Sequence, residues 1–392
     1  MIAARTNDRF GKRRLRLGMV GGGPGAFIGA VHRMAARLDD QFELVAAALS
    51  SDATQGRAAA AGLHICADRA YGTYAEMASC EMQRSDRIDA VSIVTPNNLH
   101  FEIAKCFLAS GIHVICDKPL GTSVQEAVEL AEIVRSTGLL FALTHNYTGY
   151  PMVREARQIV ENEELGTIRV VQVEYAQEWL STPLELTGHK QAAWRTDPAR
   201  SGPAGCLGDI GTHAFNIVSF VTGLACQDVA ADLSTFVPGR RVDDNVQILL
   251  RFQGGSRGML WASQVAVGHL NGLRLRIFGD KAGLEWAQEE PNSLRFTRLG
   301  KPPALIQRSA VGANSAGHSK SRLPGGHPEG YIEAFAQLYT DIAEQINVRL
   351  NGEEPQPNSL LVPGIDDGVL GMRFIAATLE SSRRNGAWVT LD

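Results

Sequence analysis

Over the first 147 positions one order repeats: a short apolar run, a polar or glycine-rich turn, then a stretch with helical spacing. The apolar runs at 15–20, 42–49, 89–94, 112–117 and 139–144 are rich in β-branched residues and read as buried strands of a parallel sheet. Helical spacing follows at 27–38, 99–109 and 123–137. Strand–helix steps in this succession predict an α/β, doubly wound parallel sheet of the Rossmann kind. From about 148 the period changes. A helix (152–161) leads into alternating residues at 168–177, with further strands at 230–236, 244–252, 257–267, 273–279 and 283–286. Gly254-Gly255 and Gly279-Asp280 are hairpin signals between them. The second half is therefore expected to be an α+β domain with a large open, mostly antiparallel sheet. Residues 287–330, rich in Pro, Ser, Gly and Arg, are expected to be a long irregular excursion, and helices at 331–350 and 368–384 close the chain. The organisation expected is a loose arm over 1–14, one domain over 15–147 and a second over 148–392.

The chain has 392 residues, enough for two domains with their own cores, and its 44% hydrophobic and 20% charged residues sit near the soluble globular average. A net charge of −4 provides no basic footprint for nucleic acid or an anionic membrane. The cysteines at 66, 80, 106, 116, 206 and 226 show no paired spacing. That argues for reduced thiols in a cytoplasmic protein, against a disulfide frame and against a metal site. Arg13-Arg14 before an apolar run imitates a twin-arginine export signal, but the run is short and breaks into Gly21-Gly22-Gly23. No stretch is long and apolar enough to span a membrane as a helix.

Chemistry concentrates where strands end. Gly21, Gly23 and Ala26 fit the G-x-G-x-x-G/A frame between a strand and a helix: a tight turn, backbone close to a pyrophosphate, and helix–strand packing. Alone the motif is weak, but its place early in the chain favours a dinucleotide. Ser50 falls where an acidic residue would read the ribose of NAD; with no arginine beside it, NAD and NADP both stay open. Thr95, Asn97 and His100 form a polar turn suited to the nicotinamide side, although Asn97 could equally cap the following helix. Asp117-Lys118-Pro119 puts a lysine at the carboxyl end of a strand, where open α/β sheets bind ligands. On those residues alone a surface lysine capping a strand is the simpler reading. Asn146 and Tyr147 follow the next strand. In the second half, Trp194-Arg195 precedes Gly208-Asp209-Ile210-Gly211-Thr212-His213. On a helix over 208–221, Asp209 and His213 are i, i+4 neighbours, a carboxylate beside an imidazole as general acid–base chemistry requires. The plain alternative is a first-turn aspartate stabilising the helix dipole.

Taken together, Gly21-x-Gly23, Thr95-Pro96-Asn97 with His100, Asp117-Lys118-Pro119, Trp194-Arg195 and Gly208-Asp209-x-Gly211-x-His213 occur in an order that resembles the glucose–fructose oxidoreductase / inositol dehydrogenase / rhizopine-catabolism (Gfo/Idh/MocA) family. The resemblance spans roughly 15 to 390. It implies an NAD(P)-binding Rossmann domain, a second domain for substrate binding and oligomerisation, and a homo-dimer or homo-tetramer. The implied reaction is hydride transfer between nicotinamide and a hydroxyl or carbonyl carbon of a sugar, cyclitol or related polyol. Lys118 matches the lysine of the family's E-K-P motif, with Asp117 in place of Glu. Asp209 and His213 match its paired acid and histidine, while Asn216 stands where a second acid often occurs. The stretch from Gly326 to Tyr331 recurs in some sugar-directed members and implies His327 near the substrate.

The expected division of labour makes Lys118, Asp209 and His213 catalytic, with Tyr147 and His327 joining them around the substrate. Gly21, Gly23, Ala26, Ser50, Thr95, Asn97, His100, Asp117, Asn146, Trp194 and Arg195 are expected on the cofactor. In that scheme Asp209 orients His213, which takes the hydroxyl proton while Lys118 steadies the alkoxide, or the two exchange roles. Competing expectations are a glycosidase working through transient oxidation with retained NAD⁺, and a non-catalytic nucleotide-binding regulator.

Overall fold

The computed structural model describes residues 13–310 and 321–391. Most of the expected arm lies outside the described residues, as does 311–320. The first sheet joins β1 (Leu15–Gly21), β2 (Phe42–Ala48), β3 (Ala90–Val94), β4 (His113–Cys116) and β5 (Phe141–Leu143). Its order is β2-β1-β3-β4-β5, and every pairing is parallel. Helices α1 (Phe27–Leu38), α2 (Ala53–Gly62), α3 (Tyr74–Met82), α4 (His100–Ala109) and α5 (Val124–Thr137) are the crossovers. Helices α2 and α3 escaped the periodicity reading, because alanine-rich or short segments carry little amphipathic contrast. The chain reverses its winding between β1 and β3, and the carboxyl ends of those strands open the crevice in which such sheets bind ligands.

Helix α6 (Pro151–Glu161) leads into the second sheet through β6 (Ile168–Ala176). Next come α7 (Lys190–Arg195), α8 (Pro198–Ser201), α9 (Thr212–Thr222) and the strands β7 (Cys226–Ser234), β8 (Asn245–Phe252), β9 (Arg257–Ser263), β10 (Gly272–Gly279) and β11 (Ala282–Ala287). Two more, β12 (Ser293–Arg298) and β13 (Ala304–Gln307), lie where only irregular chain was expected. Their alternation is short, yet each pairs antiparallel with its predecessor and extends the sheet edge. Helices α10 (Tyr331–Asn351) and α11 (Ile365–Arg383) and the short β14 (Val389–Thr390) complete a nine-stranded sheet, β13-β12-β11-β10-β6-β9-β8-β7-β14. It is antiparallel except where β6 meets β9.

Helix α10, from the second half of the sequence, packs on the first sheet. Its Phe335, Leu338, Tyr339, Ile342 and Ile346 share a core with Leu15 and Leu17 of β1 and Val31 of α1. Tyr339 meets His32 of α1 at 2.8 Å and Ser92 of β3 at 3.1 Å, a polar knot inside that core. Beside it Arg154 of α6 donates to Asp341 of α10 at 2.7 Å, with both side chains buried, and its Nε holds the Thr148 carbonyl at 2.9 Å. The same guanidinium thus ties α10 to the loop that carries Asn146 and Tyr147.

Removing one partner of a buried pair leaves an uncompensated charge. Asp341→Ala is expected to cost about 3–5 kcal/mol. A urea titration checks this, and a loss below about 1 kcal/mol would show that the pair does not brace this junction.

Candidate functional site

Every G-x-G-x-x-A position faces a constraint that excludes larger side chains or leaves backbone free for a ligand. Gly21 adopts φ +84°, and a Cβ there would lie 2.8 Å from the Val94 carbonyl oxygen; at Gly23 it would lie 2.5 Å from that of Leu49. Ala26 precedes α1, whose amino end has no side-chain cap, so its N–H groups are free to face an anion. From the second half, Lys190 Nζ donates to the Pro24 carbonyl at 2.9 Å and Gln191 Nε2 to that of Gly25 at 3.0 Å, which lays α7 over this turn. The resulting cleft has a volume of about 1140 Å³, above the roughly 300–1,000 Å³ of ordinary ligand pockets.

Along this cleft lie Gly21, Gly23, Ala26, Ser50, Thr95, Asn97, Asp117, Lys118, Asn146, Tyr147, Trp194, Arg195, Asp209 and His213. Ser50 stands just past β2, and its Oγ accepts from the Asp52 N–H; the Asp52 carboxylate in turn caps α2 through Thr54 and Gln55. Thr95 Oγ1 and Asn146 Nδ2 are buried without a hydrogen-bond partner. Such orphaned groups, the open helix terminus and the glycine cradle together fit a dinucleotide.

Two expected residues lie elsewhere. His100 is fully buried on the first turn of α4 and meets the carbonyls of Pro119 at 2.8 Å and Thr95 at 3.0 Å. It braces two strand-end loops from behind, because those carbonyls have no strand partner at the ends of β3 and β4. His327 is exposed and outside the cleft lining. Arg308, paired with Glu329 at 2.9 Å, also binds the His327 carbonyl and draws that loop to the outer edge of β13.

At the centre, Lys118 enters from the end of β4, where its peptide bond to Pro119 is cis. Asp117 Oδ1 accepts from the Lys118 N–H at 2.8 Å and from Thr144 Oγ1 at 3.1 Å, which fixes the turn. Lys118 Nζ donates to Asp209 Oδ1 at 3.0 Å and to the Asp209 carbonyl. Asp209 Oδ2 accepts from Gln264 Nε2 at 2.9 Å and pairs with Arg195 Nε at 3.3 Å. Burial would raise the Asp209 carboxyl, but Lys118 and then Arg195 outweigh it and hold it well below the carboxylate range. Arg195 itself lies over the rings of Trp194 and Trp179, 4.3 and 5.9 Å from their centroids.

The expected pairing of Asp209 with His213 is not made. Residues 207–211 form a π-helical turn before α9, anchored where the Gly205 and Leu207 N–H groups both donate to Asp243 at 2.7 Å. The widened turn re-aims Asp209, and two cations attract its carboxylate far more strongly than a neutral imidazole can. His213 instead meets His145, with 3.4 Å between their Nδ1 atoms. Burial first, then the Lys118 charge, pushes both imidazoles down: His145 to about 3 and His213 well below its usual value.

Around Tyr147, which was expected near the substrate, the cleft carries polar residues that no motif pointed to. Tyr147 and Tyr175 join through their hydroxyls, Tyr175 donates to Asn271 Oδ1 at 2.7 Å, Gln177 donates to the same oxygen at 2.8 Å, and Trp179 Nε1 donates to Gln177 at 3.0 Å. Alternate residues 175, 177 and 179 at the end of a strand are the one trace the sequence carries of this group. Among the described residues no cluster of three or more metal-ligating side chains occurs, and no helix is long and apolar enough to cross a membrane.

Residues 15–145 match the model of the oxidoreductase family with an NAD-binding Rossmann fold, and 153–285 match the GFO/IDH/MocA C-terminal domain. The uncharacterised oxidoreductase YfiI of Bacillus subtilis (strain 168) is 34% identical over 97% of this chain and 98% of its own length. A solved oxidoreductase from Sinorhizobium meliloti is 47% identical, with a TM-score of 0.88 over 96% of this chain and 100% of that one. An inositol dehydrogenase homologue from Azotobacter vinelandii, solved with NADH and myo-inositol, is 34% identical, with a TM-score of 0.89 over 96% and 98%.

Buried neutral histidines make stability depend on pH. Burial lowers His32 to about 4, as it lowers His145 to about 3. Below about 6.5 the unfolded chain binds protons that the native state refuses, so their contribution is complete above that pH and declines toward 4 and then 3. Each histidine contributes a slope of up to about 1.4 kcal/mol per pH unit. Asp243, raised by burial to about 6, opposes part of this between 6 and 3.9. The urea midpoint is expected to be lower at pH 5 than at pH 7, with the difference reduced in His32→Gln. Equal midpoints would contradict the assignment of neutral, buried rings.

Proposed function

Because this chain belongs to the GFO/IDH/MocA family of NAD-binding oxidoreductases, we propose that it is a dehydrogenase acting on a hydroxyl- or carbonyl-bearing carbon of a sugar, an inositol-like cyclitol or a related polyol. The observation that carries this reading is the convergence of Lys118, Asp209 and His213, from both halves of the chain, on a cleft continuous with the Gly21–Gly23 turn. The nicotinamide of NAD supplies the hydride acceptor or donor when bound. Gly21, Gly23, Ala26 and the amino end of α1 are assigned to its pyrophosphate and Ser50 to its adenosine ribose. Thr95, Asn97, Asp117, Asn146, Trp194 and Arg195 are assigned around the nicotinamide half.

In the oxidative direction the substrate hydroxyl lies between Lys118 and His213. His213, kept neutral by burial, accepts the hydroxyl proton. The Lys118 ammonium stabilises negative charge that grows on the substrate oxygen, an interaction strongest in the transition state. Asp209 aims Lys118 through two of its oxygens and is itself held by Arg195 and Gln264. Tyr147, Tyr175, Asn271 and Gln177 suit the hydroxyls of a ring that carries several. The myo-inositol held by the Azotobacter relative supports the same substrate class.

Self-association is assigned to the outer face of the nine-stranded sheet. There Leu249 of β8 and Met259 of β9 stand directly opposite each other, 50% and 45% exposed, beside Val170 and Phe278. Light scattering of Met259→Asp is expected to give a smaller species than the unaltered protein; identical masses would assign assembly, if any, to another surface.

Absorbance at the reduced-nicotinamide band, with NAD⁺ and NADP⁺ in turn against a panel of sugars and inositols, tests the reaction. Turnover with NAD⁺ is expected, and Lys118→Ala should lower kcat by roughly 10²- to 10⁴-fold. Near-normal kcat in that variant overturns the role of Lys118. Glycoside cleavage by the purified protein with no added cofactor overturns the reaction class.

A further inference from the structure

One contact in the site is unused by the reaction as proposed. His145, just past β5, turns its Nδ1 toward Nδ1 of His213 at 3.4 Å, and the rings meet edge to face with centroids 5.3 Å apart. Both side chains are buried, at 3% and 8% exposure. The His145 backbone is fixed: its N–H donates to the Leu143 carbonyl at 2.9 Å, and its own carbonyl accepts from Thr148 Oγ1 at 2.9 Å.

Two imidazole nitrogens that face each other can share only one proton: one ring is the N–H donor and the other offers a lone pair. His213 lines the cleft, and with Nδ1 committed to His145 its other ring nitrogen, Nε2, is the one left for a substrate. The two tautomer choices are chemically unequal. If His145 is the donor, His213 carries its proton on Nε2 and has no lone pair for the substrate; protonating it would also set two N–H groups against each other. If His145 is the acceptor, His213 holds its proton on Nδ1 and its Nε2 lone pair is free. The contact then survives, and strengthens, when His213 becomes an imidazolium.

We propose that His145 is a positioning residue that holds His213 in the Nδ1–H tautomer, so that Nε2 takes the substrate proton. This inference rests on the reading of His213 as proton acceptor given above. The other groups facing the pair do not compete for the role. Lys118 brings positive charge, and Tyr147 and Tyr175 approach His213 with their rings, at centroid distances of 4.9 and 6.3 Å. Asp209, the one nearby carboxylate in the mechanism, is engaged by Lys118 and Arg195. Burial and the Lys118 charge keep His145 from becoming an imidazolium donor anywhere near neutral pH.

Imidazole ¹⁵N NMR of the histidine-labelled full chain tests the tautomer directly and needs no substrate. The expected result is His213 with a protonated Nδ1 and a bare Nε2, both in the unaltered protein and in His145→Asn, whose amide oxygen stands near the Nδ1 position. In His145→Leu, His213 is expected to shift toward the Nε2–H form. With NAD⁺ and the panel's best polyol, His145→Leu should lower kcat about 10- to 100-fold with little change in KM and displace the acid limb of the pH–rate profile; His145→Asn should restore most of the loss. An Nε2–H His213 in the unaltered protein overturns the proposal, and so does a tautomer indifferent to His145→Leu. His213→Gln, assayed alongside, separates the two readings. Its full activity would remove the acceptor role itself, whereas its inactivity together with an Nε2–H tautomer would remove only the part given to His145.

Discussion

The ion pair between Lys118 and Asp209 is the constraint on which the site depends. One partner comes from the carboxyl end of a parallel strand, the other from a π-helical turn between two elements of the second half. Neither position is useful alone. Taking both charges from water costs several kcal/mol per ion, and only good geometry with further hydrogen bonds recovers that cost. The structure supplies them: the carbonyl of Asp209 shares the ammonium, and Gln264 and Arg195 occupy the second carboxylate oxygen. The pair therefore ties the two halves of the cleft together at the lysine.

Around that pair the two sheets exchange parts. Helix α7 crosses to the glycine turn through Lys190 and Gln191, and α10 covers the first sheet with Phe335, Leu338 and Ile342. Arg240 braces the second half itself. Buried against Asp244 at 3.2 Å and Glu185 at 3.0 Å, it binds the carbonyls of Leu180 and Thr182 and fixes the loop that brings Trp179 beside Arg195. Residues of both halves therefore line one cleft, and Lys118 and Lys190 each reach across the junction to a partner in the other half.

What could be read from the sequence divides along the same physical line. Backbone constraints were legible, because glycines, a proline after an apolar run and two distinct periodicities act locally. The parallel sheet, the larger antiparallel sheet, the glycine turn and Lys118 at a strand end all follow from them. Contacts made in three dimensions were not. His100 looked like a cofactor residue because it follows Asn97, yet its ring serves the loop carbonyls behind the cleft. His327 lay in a suggestive stretch, but Arg308 and Glu329 hold that loop at the sheet edge. The i, i+4 rule joined Asp209 to His213 on the premise of a regular helix. A single π-turn defeated it, and nothing in the local pattern at 207–211 announces one.

The failure at Asp209 changes the chemistry more than any other. A carboxylate on His213 would favour the charged imidazolium and so oppose its return to neutrality. With Asp209 taken by Lys118 and Arg195, His213 sits among a second imidazole and two phenol rings, where burial favours the neutral form. In the mechanism proposed above, fixed positive charge thereby stands on the lysine assigned to the developing oxyanion, and no carboxylate stands on the ring assigned to accept the proton. The two tasks have opposite electrostatic needs. They are assigned to Lys118 and His213, which differ in their partners: Asp209 holds the one and His145 meets the other.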